Sequence, residues 1–98
     1  MQASQRNQSH GIQLHIAAFD GEMELEEFLD WVHNVDNYFN WKELIEERKV
    51  KVVASKMRGT ALDWWKNYQM DRERKGKKKI NSWRKMKEKL KSQFLPSN

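Results

Sequence analysis

The side chains able to do chemistry in this 98-residue chain are few and scattered. Its three histidines are His10, His15 and His33, and none stands in the His-Glu-x-x-His spacing that puts two imidazoles on one helix face around a zinc ion. With no cysteine there is no disulfide framework, no thiolate metal site and no cysteine nucleophile. Ser55, Ser82 and Ser92 have no histidine close to them in sequence, and Gly76 stands alone where a phosphate-cradling loop would need several glycines. Acid–base catalysis needs carboxylates held in a water-poor cleft. Here they gather on the outward-facing positions of the first two helical segments, where solvation is the default. The pattern predicts no enzyme, and it assigns no catalytic, cofactor-binding or metal-binding residue.

Charge is the first feature with a possible function. Residues 1–65 hold 7 Lys and Arg against 11 Asp and Glu, a net of −4, whereas residues 66–98 hold 12 against 3, a net of +9. Six of those 12 lie in the run Asp71–Lys79, DRERKGKKK, which breaks the apolar period and reads as an exposed basic loop. Arg72, Arg74, Lys75, Lys77, Lys78 and Lys79 are therefore candidates to contact nucleic-acid phosphates without base specificity. No aromatic residue is interleaved for base stacking. The same run is also compatible with a solvating loop, a nuclear-import patch or attraction to an anionic membrane.

The second feature is surplus apolar surface. Residues 23–40 carry Leu25, Phe28, Leu29, Val32, Val35 and Phe39 on one helical stripe, with Trp31 and Tyr38 on its border. That is more than one face of a small core requires, which makes Trp31, Val35 and Tyr38 candidate protein-interface residues. Ile12, Leu14 and Ile16 alternate with polar residues as a short extended arm. This arm either covers a groove between helices or offers a free edge to a partner.

These candidates must be positioned by helices. Leu, Ile, Val and Phe together make only 20 of 98 residues, so the chain folds only if its five tryptophans are largely inside. Four glycines and one proline leave little turn chemistry for a many-stranded sheet. The spacing predicts an all-α fold, a small bundle of about four helices behind an extended arm at 12–19. The helices fall at about 23–40, 42–58, 61–70 and 83–94. Gly59 is placed as the stop of the second, and Thr60 as the N-cap of the third. Residues 1–11 read as a disordered leader, and 12–96 as one domain. No apolar run approaches the roughly 20 residues of a membrane span, and the N-terminus lacks a signal-peptide core. A cytoplasmic protein is the expectation, with nuclear import open through the basic loop.

The order of these signals resembles a known family. Phe19-Asp20-Gly21, then EEFLDWVHNVDNYF (Glu26–Phe39), EERKVKVVASKMRGTALDWW (Glu46–Trp65) and INSWRKMKEKLKSQFLP (Ile80–Pro96), is similar to the gag domain of Ty3/gypsy-type LTR retrotransposons. That family includes host genes domesticated from such elements. The most specific element is Gly59-x-Ala61-x-x-Trp64-Trp65, followed at a distance by Trp83 and Phe94. The resemblance implies the N-terminal lobe of a retroviral-type capsid protein, with Trp64, Trp65, Trp83 and Phe94 in its core. It implies a structural role in virus-like particle assembly, with the chain itself as partner and only weak self-affinity for an isolated lobe. A C-terminal capsid lobe, a short peptide and RNA are the further partners it suggests. No second lobe and no Cys-rich zinc knuckle is present, so a fragment or a shortened gag is expected. The competing reading is a domesticated binding module, for a peptide at the arm and first helix or for RNA at the basic loop.

Overall fold

A computed structural model describes residues 15–95. Among them are four helices: α1 (Leu25–Trp41), α2 (Glu46–Ser55), α3 (Gly59–Arg74) and α4 (Trp83–Phe94). The fold is all-α, and among the described residues the only extended pairing is one parallel bridge between Phe19 and Met57. The leader at 1–11 and the arm residues Ile12 and Leu14 lie outside the described residues.

α1 starts where its charges favour a start. Glu24 and Glu27 form a reciprocal capping box, and Glu26 and Glu27 put negative charge on the first turn. Its buried residues Phe28, Trp31, Val32, Val35 and Phe39 follow helical spacing over three turns. α4 is capped by Ser82, whose hydroxyl accepts from the backbone N–H of Lys85, and it buries Trp83, Met86 and Leu90 on one side.

α2 and α3 differ from the spacing-based expectation. α2 covers Glu46–Ser55 and not 42–58, because the chain is extended both at Lys42 and at Ile45. At its other end Lys56 and Arg58 leave the helix to bond Phe19: Phe19 N–H donates to Lys56 O at 2.9 Å, and Arg58 N–H donates to Phe19 O at 2.9 Å. The Arg58 guanidinium bonds the carbonyls of Ser55 and Met57, satisfying acceptors that a helix end leaves open. Gly59 therefore does not stop α2; it opens α3, whose N-cap is Arg58 and not Thr60. α3 also continues past residue 70 to Arg74, so the first half of the expected basic loop is helical.

The core gathers between α1, α2, α3, α4 and the returning arm. Phe19 is its hub, with ring centroids 5.4 Å from Phe28, 4.6 Å from Trp31 and 5.1 Å from Phe94. Offset and edge-on packing of this kind adds to simple area burial. Phe39 meets Trp83 edge-on at 5.9 Å, which closes the other end of the α1–α4 pair. Gly21 sits where three elements converge. Its φ is +87°, and a Cβ there would stand 2.9 Å from Phe94 Cε1 and 3.2 Å from the Ala61 nitrogen.

Candidate functional site

Ile16 and Phe19 of the arm and the inner side of α1 are core, which corrects the expectation of a docking face at Ile16, Trp31 and Val35. Ile16 is 3% exposed, Trp31 4% and Val35 fully buried. The Trp31 indole N–H donates to Ala17 O at 2.9 Å, and its ring stacks on Phe19. The physical reason is that α1 is covered twice. α4 packs along one of its faces and the arm along the adjacent one, so both apolar faces are used. Tyr38 is half-buried, edge-on to Phe39 at 5.5 Å. The arm offers no free edge at Phe19, whose N–H and C=O are both bonded.

The surplus apolar surface lies elsewhere. Among the described residues, Leu25 (48% exposed), Leu29 (41%), Trp41 (62%), Ile45 (69%) and Met70 (56%) are the large apolar side chains left in water. Leu25 and Leu29 are one turn apart on α1 and form a ridge. Around them Glu22, Glu26 and Asp30 are exposed, and no described ion pair includes them. Met70 borders an open concavity of about 300 Å³ lined by Trp65, Lys66, Gln69, Glu73 and Lys79. Periodicity could have flagged Leu25 and Leu29 only if the depth of the core had been known. Trp41 and Ile45 flank the α1–α2 connection, where no helical face covers them.

The six basic candidates do not form one uniform patch. Arg72 points its Nε–H at Lys78 O, 2.8 Å away, and so braces the turn. Arg74 and Lys75 share Asp71 at 3.3 and 3.1 Å, and Lys79 lies 3.7 Å from Glu73. Of the six, Arg72, Lys77 and Lys78 take part in no described ion pair, and of these Arg72 is held by its bond to the Lys78 carbonyl. The basic segment is thus smaller in free charge than its composition suggests.

Among the described residues, two carboxylates tie helices to one another. Asp36 accepts from the Trp83 indole N–H at 2.7 Å and from Lys87 Nζ at 3.1 Å, tying α1 to α4. Glu46 accepts from the Trp83 backbone N–H at 3.0 Å, which caps α4 from α2. The hydrogen bond from Lys49, and then that from Trp83, hold the Glu46 carboxyl below its usual value against a small cost of burial. Among the described residues no group of three or more His, Cys, Asp or Glu could hold a metal ion, and no helix is long and apolar enough to cross a membrane.

Comparison with known proteins agrees with this architecture. Residues 13–95 match the family described as "Retrotransposon-derived protein PEG10, N-terminal capsid-like domain". No curated protein and no solved structure matches the chain.

Proposed function

The chain belongs to the family of the retrotransposon-derived PEG10 N-terminal capsid-like domain, and on that premise we propose that it acts as a structural gag-type capsid module in particle assembly. The observation that carries this reading is the distribution of apolar surface. The core is closed by the chain's own elements, yet among the described residues Leu25, Leu29, Trp41, Ile45 and Met70 remain in water. Exposed apolar groups arranged on separate sides suit a protein with several neighbours better than one with a single ligand cleft. The contacts of one lobe are small, so each is weak alone and effective when repeated. Sedimentation velocity at rising protein concentration tests this: the mean sedimentation coefficient rises with concentration. A constant monomer value at every concentration and salt level refutes it.

A second reading, RNA contact, is favoured by one observation only, the unpaired Lys77 and Lys78 at the turn. RNA affinity should then fall steeply with salt. Neutralising these two lysines should reduce the slope of log K against log salt by about 1 to 2. An unchanged slope removes the reading.

A further inference from the structure

We propose that the acidic-rimmed Leu25–Leu29 ridge of one copy docks into the basic-rimmed concavity at Trp65 and Met70 of a second copy. The inference rests on the self-association reading above and assigns the two faces that would meet.

Three properties of the surfaces point to this pairing. The first is shape: one is a two-residue ridge on α1, and the other is an open concavity of about 300 Å³ floored by Trp65 and edged by Met70. Both are apolar at the centre, since Leu25 and Leu29 are 48% and 41% exposed and Met70 56%. Their rims carry opposite charge. Residues 20–30 hold Asp20, Glu22, Glu24, Glu26, Glu27 and Asp30 with no Lys or Arg among them. The concavity has Lys66 and Lys79 on its edge, and Lys77 and Lys78 precede Lys79 along the chain. Its one carboxylate, Glu73, pairs with Lys79 at 3.7 Å, so the positive charge left on this rim is that of Lys66, with Lys77 and Lys78 beside it along the chain.

The two faces cannot satisfy each other within one molecule. Ala61 N–H bonds Asp20 O, so the ridge end of α1 lies beside the start of α3. Met70 lies roughly 14 Å further along that helix, at 1.5 Å per residue. Contact between unlike faces is heterologous. Repeated from copy to copy it closes into a ring or runs on as a chain, which is the connectivity a shell needs. Opposite charges on the rims orient the encounter and make it salt-sensitive.

Reciprocal charge reversal tests the pairing. One variant carries Glu22→Lys, Glu26→Lys and Asp30→Lys; the other carries Lys66→Glu, Lys77→Glu and Lys78→Glu. Circular dichroism first checks that both keep the helical content of the wild type. A further variant, Leu25→Ser with Leu29→Ser, tests the apolar half should the first lose its fold. In sedimentation at low salt each triple variant alone should lose about tenfold or more in association constant. An equimolar mixture of the two should regain association, because the reversed ridge of one then faces the reversed concavity of the other.

Wild-type protein that stays monomeric at all concentrations overturns the self-association reading itself. If the wild type associates while either variant does so equally well, or the mixture regains nothing, the assigned faces are wrong and self-association stands. Association that disappears on nuclease treatment also overturns the assignment, since nucleic acid would then bridge the basic faces.

Discussion

Gln69 and Ile80 are joined by a two-way amide pair: Gln69 Nε2–H donates to Ile80 O at 3.1 Å, and Ile80 N–H donates to Gln69 Oε1 at 2.9 Å. One side chain thus does for Ile80 what a neighbouring strand would do. It lets the chain leave α3, make the exposed turn through Lys79, and return with Ile80 in the core at 4% exposure. Removing the amide leaves two backbone groups of a buried residue without partners. Gln69→Ala should cost about 1–3 kcal/mol, read as a lower urea midpoint with unchanged slope. A midpoint equal to wild type would show that water replaces the amide at no cost.

Gly21 and Gly76 both have positive φ, +87° and +78°, but only Gly21 is crowded. Gly76→Ala should cost about 1 kcal/mol, the backbone strain alone. Gly21→Ala adds the collision with Phe94 and the Ala61 backbone, so about 2–4 kcal/mol is expected. Thermal unfolding of the two variants side by side separates the terms. Equal losses would mean that the Phe94 ring swings aside freely.

Two tryptophans that flank the α1 face have opposite fates. Trp31 is 4% exposed and hydrogen-bonded to Ala17 O, whereas Trp41 is 62% exposed. Trp31→Ala should cost about 3–5 kcal/mol, enough to unfold much of a domain this small. Trp41→Ala should stay within about 0.5 kcal/mol. Near-UV circular dichroism and chemical denaturation of both variants provide the comparison. A stable Trp31→Ala protein would contradict the packing of the arm.

The Glu46 carboxyl links α2 to the first N–H of α4, and its pKa is lowered in the folded state. A lowered folded pKa means the unfolded chain binds the proton more tightly. The contribution is therefore complete above the unfolded value, about 4.3, and is lost as pH falls through the lower folded value. The group is half exposed (side chain 53%), so the contribution is less than about 1 kcal/mol. Glu46→Gln should lower stability slightly at pH 7 and make no difference near pH 2. An identical effect at both pH values would place the loss in packing and not in charge.

The helical stripes were legible in the sequence because burial on a helix repeats every three or four residues. Phe28, Val32, Val35 and Phe39 in α1, and Trp83, Met86 and Leu90 in α4, are buried as that period demands. The caps were less legible: Thr60 does not cap α3, since Arg58 holds that place after bonding to Phe19. No local pattern could announce that pairing, because Phe19 and Arg58 lie 39 residues apart. The same holds for Gln69 with Ile80 and for Asp36 with Trp83, where an ordinary polar residue becomes a cross-link only after the helices meet.

The candidate surfaces show the same division. Composition and period by themselves determined four amphipathic helices, an aromatic core and opposite charges on the two parts of the chain. Period names the residues that can be buried, but it does not say how many faces of a helix will find a cover. The tertiary structure decided that by folding the arm back over α1. Trp31, Val35 and Ile16 moved into the core, while Leu25 and Leu29, on the same helix, stayed in water. It also decided which charges are free, because the partners Asp71 and Glu73 reach their cations only once α3 is seen to extend to Arg74. Burial and ion pairing are properties of what lies across from a side chain, and what lies across is fixed by the packing of distant segments.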